Sequence, residues 1–166
     1  FLISLRLDYY DPFTLKQIVE RSGKLLGVNL VQDASLEIAK RARGTPRIAN
    51  NLLRWVRDFA QTQKLPTIDL ETAHKALEML AIDEKGLDEM DKKILSVIID
   101  HHDGGPVGLK NLAAACGEES HTIEEVYEPF LVLQGMIKRA PRGREATAAA
   151  YEHLGRKPKK YRSISR

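Results

Sequence analysis

The run Arg43-Gly44-Thr45-Pro46-Arg47-Ile48-Ala49-Asn50 can place one arginine in the opening turn of a helix. Thr45 suits the N-cap, where a hydroxyl accepts an early backbone N–H. Pro46 suits the first helical position, where its missing N–H costs nothing. Arg47 then stands at the positive end of the helix dipole, which disfavours a cation unless an anion arrives. A helix N-terminus with a guanidinium beside it makes a phosphate site. The same signals also open ordinary surface helices, so the octapeptide needs support from the rest of the chain.

A second cationic group is Arg139, Arg142 and Arg144, clustered around Gly143 with no acid among the following residues before Glu145. Such a hairpin can hold a phosphate strand, and a tip glycine lets backbone come close. Its alternative use is protein contact or simple packing. Other chemistry is poorly supported. His101-His102-Asp103 has neither i,i+4 spacing nor a cysteine pair nearby, so no metal site is expected. Cys116 lies on an apolar face without a nameable general base and reads as core. Asp103-Gly104-Gly105-Pro106-Val107-Gly108 lacks the Lys-Ser/Thr of a phosphate loop and reads as a turn. There is no Walker A sequence and no internal repeat, and no catalytic residue is assigned.

These groups need elements to hold them. Residues 2–7 read as a short strand ended by Asp11-Pro12. Leu15, Ile18, Val19, Ser22, Leu25 and Leu26 recur at helical spacing, and Gly27 stops them. Asp33 or Ser35 can cap a second helix reaching Arg43-Gly44. The helix from Pro46 puts Ile48, Leu52, Trp55, Val56 and Phe59 largely on one face, and Asp69 caps a fourth through Leu80. Four helices joined by short turns predict a small bundle. Asp83-Glu84-Lys85-Gly86 reads as a linker. Beyond it come a helix from Met90 to near His101, then a helix from Leu109, a turn at Gly117, and a helix capped near Ser120 or Thr122. Strands at residues 136–140 and 145–148 would flank Pro141-Arg142-Gly143-Arg144. This order is a helix-turn-helix followed by a basic hairpin, a winged helix. The fold class is therefore mainly α: a four-helix bundle and a winged-helix domain.

Composition bounds the function. The 166 residues suit one domain or two small ones, 43% hydrophobic and 30% charged, which is ordinary for a globular chain. One cysteine cannot form an internal disulfide, which fits a reducing cytosol. No apolar run approaches the roughly 20 residues of a membrane span. The net charge of +3 misleads, because residues 155–166 hold six basic residues and no acid, leaving −3 on residues 1–154. Any nucleic-acid contact must come from local placement of arginines. The tail itself reads as a solvated, disordered end. The start at Phe1, on a strand without partners, suggests a piece of a longer protein.

The segment Arg41–Asn50, followed by Val56-Arg57-Asp58-Phe59-Ala60, resembles the lid of the RuvB family of AAA+ ATPases, motors of bacterial Holliday-junction branch migration. Gly104-Gly105-Pro106-Val107-Gly108-Leu109, Asn111-Leu112-Ala113-Ala114-Ala115 and Pro141-Arg142-Gly143-Arg144 resemble the family's winged helix. Arg6-Leu7-Asp8-Tyr9-Tyr10 looks like the end of its large ATPase domain, and the likeness runs to about Leu154. It implies the end of the ATPase domain at 1–10, a helical lid at 11–82, a winged helix at 83–154 and a basic tail at 155–166. Arg47 falls on the family's sensor-2 position, which meets ATP phosphates, and Tyr10 on a second nucleotide contact. Arg139, Arg142 and Arg144 fall on the DNA-contacting wing. ATP with Mg would be bound mostly by the large domain, upstream of this chain, so the chain alone would be inactive. The implied setting is cytoplasmic: a homohexamer acting with RuvA on double-stranded DNA at Holliday junctions, with RuvC in the resolving complex, during recombination, repair and the SOS response. Leu2, Asn51 and Trp55 depart from the family pattern. Two alternatives remain: a winged-helix DNA-binding regulator, or the lid and winged helix of another AAA+ replication protein.

Overall fold

A computed structural model describes residues 9–158. The strand expected at 2–7 lies outside them, as do Leu2 and the tail from Lys159 onward. The chain divides into two compact units, the first ending at Asp88 and the second beginning at Glu89.

The first unit holds α1 (Pro12–Leu25), α2 (Gln32–Lys40), α3 (Pro46–Thr62) and α4 (Leu70–Glu78). The apolar periodicity delivers its core: Leu15, Val19, Ile38, Leu53, Val56 and Leu77 are all buried. Gly27 follows the end of α1 with φ of 68°, a left-handed conformation that glycine adopts without a Cβ penalty. Asp69 caps α4 as expected, its carboxylate accepting the Thr72 N–H at 2.8 Å. Asp11 caps α1 in the same way, accepting from the Thr14 N–H at 2.8 Å, with Pro12 at the first helical position. These hydrogen bonds from Thr14 and Thr72 hold both carboxyls below the usual range.

The expected cap of α2 is not made. The helix starts at Gln32 with Val31 as N-cap, so Asp33 and Ser35 lie inside it. The Val31 N–H donates to Ile68 O at 3.0 Å and Ile68 N–H to Asn29 O at 2.9 Å, which fixes the entry point earlier than the capping residues suggest. Trp55 is partly exposed, and its indole N–H donates to the Ala76 carbonyl of α4 at 2.7 Å.

The second unit runs α5 (Glu89–Ser96), a π-helical turn Val97–His101, α6 (Leu109–Cys116), α7 (Ser120–Thr122), a second π-helical turn Ile123–Tyr127, α8 (Glu128–Leu133), β1 (Ile137–Ala140), β2 (Gly143–Ala146) and α9 (Ala148–His153). Gly117, with φ of 68°, makes the turn after α6. Glu119, not Ser120 or Thr122, occupies the N-cap of α7, and no side chain caps it. The hairpin is tighter than expected. Only Pro141 and Arg142 form its turn, and Gly143 and Arg144 belong to β2. Ala148 lies in α9, where the Thr147 hydroxyl accepts the Ala150 N–H, rather than in a strand. Phe130, Leu131, Leu112, Ile98 and Met136 form the buried interior of this unit. Arg156 belongs to the folded body, its guanidinium on Asp100 at 3.1 and 3.3 Å.

Candidate phosphate sensor and nucleic-acid wing

Arg47 is exposed at the second position of the 17-residue helix α3. Its guanidinium has no ion pair or hydrogen bond among the described residues. Thr45 takes the N-cap place in an extended conformation, but its hydroxyl does not cap. It donates instead to the Arg43 carbonyl at 3.3 Å, which the left-handed pair Arg43 (φ 54°) and Gly44 (φ 70°) folds back towards it. Among the described residues no side chain caps the start of α3. An uncapped helix start beside an unpaired guanidinium suits an incoming phosphate oxygen.

Tyr10 is brought to the same loop. Its N–H donates to the Gly44 carbonyl at 2.9 Å, and its side chain is 44% exposed. Tyr9 packs on Gly44 so closely that a Cβ there would lie 2.8 Å from the ring. Burial pushes the Tyr9 phenol pKa up, opposed by the nearby Arg43 charge. Gly44 thus has two reasons to be glycine: its positive φ and the tyrosine ring against it.

The wing arginines are not equivalent. Arg139 and Arg144 face each other across the β1–β2 ladder. Like charges in that position repel. Glu128, at the start of α8 and fully buried, resolves the conflict. Its carboxylate accepts from Arg144 Nε at 2.5 Å and lies 3.7 Å from Arg139 Nε. The Arg144 side chain is only 17% exposed, whereas that of Arg139 is 56% exposed. Arg142 is exposed in the turn, with no partner among the described residues. Lys138 pairs with Glu145 at 3.3 Å. The expectation that the wing lacks a compensating acid is corrected: Glu128 neutralises one of its charges from 16 residues upstream.

Gly143 is not a free tip glycine either. Its φ is 140°, and a Cβ would meet the Val107 carbonyl. Val107 exchanges two backbone hydrogen bonds with Arg144, at 2.9 and 2.8 Å, as a third strand-like partner of the wing. Gly105 abuts the Arg144 carbonyl, and Gly104 O accepts from Ala146 N at 2.9 Å. The Gly104–Gly105 glycines serve this packing and not a phosphate loop. The helical segment after the Gly117 turn exposes Glu119, Glu124 and Glu125, acids that repel a duplex backbone.

Cys116 is buried, which raises its thiol pKa against the opposing Lys93 charge. His101 and His102 are exposed, and no metal-binding cluster occurs among the described residues. No helix among them is long and apolar enough to cross a membrane.

Two family models cover nearly the whole chain: the RuvB AAA lid domain over residues 10–83 and the RuvB C-terminal winged helix domain over 84–155. The chain belongs to the RuvB family. The Holliday junction branch migration complex subunit RuvB of Protochlamydia amoebophila is 59% identical over 154 residues, 93% of this chain and 46% of that protein. The subunit of the same name from Chlamydia trachomatis is 56% identical over 159 residues, 96% of this chain and 48% of its own. The Thermotoga maritima RuvB branch migration motor superposes with a TM-score of 0.87 at 47% identity, covering 91% of this chain and 51% of that one. The chain thus spans about half the length of the RuvB relatives it matches. A free-standing regulator and a different AAA+ replication protein are both disfavoured by these matches.

Proposed function

We propose that this chain is the phosphate-sensing lid and DNA-gripping winged helix of an ATP-driven motor that moves Holliday junctions. The observation that carries the reading is the Arg47 arrangement: an exposed guanidinium without a partner among the described residues, on a helix start that none of their side chains caps, with Tyr10 hydrogen-bonded into the same loop. These residues fit ATP phosphates. Bound ATP, with Mg and a large ATPase domain, supplies a transferable γ-phosphoryl group. Arg47 draws the lid towards that charge and holds it there while the charge persists. Tyr10 flanks the same loop. The wing then grips phosphates through Arg139 and Arg142 without reading bases, as a motor crossing any sequence requires. Arg144 supports the wing from within. In this reading the motor is a cytoplasmic hexamer working with RuvA, and with RuvC at resolution, in recombination and repair. Relatives named as subunits of a branch migration complex support it.

The 166-residue chain alone should show no steady ATP hydrolysis above a no-protein control, since its sequence carries no phosphate-loop lysine. Sustained turnover by this chain would place the catalytic apparatus within it and overturn the division of labour.

Arg139→Ala with Arg142→Ala should weaken duplex binding equally for unrelated sequences. Each lost phosphate contact should lower the log–log salt slope by about 0.9. A salt titration on two unrelated duplexes checks this. Coincident slopes for variant and parent would remove the wing from the DNA contact, and loss on one duplex only would indicate base reading.

A further inference from the structure

The loop that presents Arg47 also holds the segment leading to the winged helix. Arg43 Nη1 donates to the Gly86 carbonyl at 3.0 Å. Arg41 Nη1 donates to the Ile82 carbonyl at 2.8 Å, while its Nε is paired with Glu37 at 2.9 Å. Arg41 is almost wholly buried, and Glu37 also meets His74 of α4 at 3.3 Å. The contact is backbone-close as well: a Cβ on Gly86 would sit 3.3 Å from the Arg41 carbonyl oxygen.

The segment held in this way is stiff. The Asp83 carboxylate accepts the N–H groups of Lys85 and Leu87, both at 2.9 Å. Asp83 N–H donates to Leu87 O at 3.0 Å, Gly86 N–H donates to Asp83 O at 2.9 Å, and Leu87 is fully buried. Gly86 falls in the stretch matched by the winged-helix family model, yet its carbonyl is held by Arg43 of the first unit. A linker that only joined two domains would need none of these bonds. Two guanidiniums spent on main-chain carbonyls, three and five residues before the helix start at Pro46, point to a mechanical role.

We infer that Arg41 and Arg43 are positioning residues that fasten residues 82–87 to the Arg47 loop, so that a shift of that loop displaces the segment that leads into the winged-helix unit. The inference rests on the phosphate-sensing role proposed for Arg47. Arg43 is the place to test it, because its φ of 54° is one that glycine adopts freely. Arg43→Gly therefore removes the Gly86 half of the tether, leaving Arg41 on Ile82, at a backbone position that glycine tolerates.

In the intact protein, Arg43→Gly should speed hydrogen exchange at the Gly86 and Leu87 amides by about tenfold, the scale of one charge-assisted hydrogen bond. Base pairs moved per ATP should fall about fivefold, with ATP turnover unchanged. Arg43→Lys should recover part of both, since an ammonium can reach the carbonyl without the guanidinium's geometry. Asp83→Ala, which loosens the same turn by removing the acceptor of the Lys85 and Leu87 N–H groups, should lower the yield per ATP in the same direction. An unchanged yield in both Arg43→Gly and Asp83→Ala overturns the coupling, whatever exchange does. Turnover falling in step with migration overturns it too, because Arg43 would then only be supporting Arg47. An Arg47→Ala control separates the two proposals: wild-type turnover there rejects the sensor itself, whereas lost turnover there with an unaltered Arg43→Gly motor rejects only the tether.

Discussion

Arg47→Ala in the intact protein is expected to lose about two orders of magnitude in ATP turnover while keeping its fold. In the proposed sensor role the guanidinium is the donor aimed at developing charge, and removing such a donor costs on the order of 3 kcal/mol at comparable sites. The fold should not notice. Arg47 is exposed, has no partner among the described residues, and stands where a cation opposes the helix dipole. Alanine there is also a better helix former. Lysine should restore only part of the rate, because a point charge lacks the bidentate fork. Steady-state turnover and a thermal melt measured on the same preparations check both halves. Turnover equal to the parent would reduce Arg47 to a surface residue.

Arg144→Ala is expected to damage stability more than DNA binding. Glu128 is fully buried, and its carboxylate is ion-paired with the Arg144 guanidinium. Removing one member of a buried ion pair costs about 3–5 kcal/mol, because the remaining charge has lost its compensation. The lower end applies here, since Arg139 stands 3.7 Å from the same carboxylate and can close in. A domain of this size loses more than about 10 °C of melting temperature for 3 kcal/mol. Native-state hydrogen exchange of the β1 and β2 amides reads this unit without interference from the lid. Pairing the change with Glu128→Gln should return much of the loss, since no bare charge is then left inside. Parental exchange rates in Arg144→Ala would show that Glu128 is satisfied by other groups.

The helices of the first unit were legible because their cores repeat at helical spacing, as Leu15, Val19, Leu53 and Val56 do. Asp69 was legible as a cap because capping is local, a carboxylate three residues from the N–H it accepts. Thr45 marked the right boundary, yet its hydroxyl turned elsewhere once Arg43 and Gly44 went left-handed. Asp11, read as a strand end, works as a cap, and only the depth of the following helix decides between the two. The wing was legible as a basic hairpin but not as a sorted one. The Arg144–Glu128 pair spans 16 residues, and no periodic pattern encodes it. The one available hint was the register itself: two arginines set opposite each other demand an acid from somewhere. The linker bonds from Arg41 and Arg43 reach about 40 residues along the chain and were equally silent.

The close crossing of Gly143 and Val107 has a consequence for how far the wing reaches. A Cβ at 143 would drive the hairpin off its neighbour, and the two-residue turn leaves no slack between Ala140 and Gly143. A one-residue slip would send every side chain of a strand to the opposite face. The hairpin is therefore a ruler of fixed length, with Arg142 as its end mark. In the proposed grip on a regularly spaced helical backbone, a constant reach matters as much as charge. Lengthening the turn by even one residue would alter the depth at which each engagement is made.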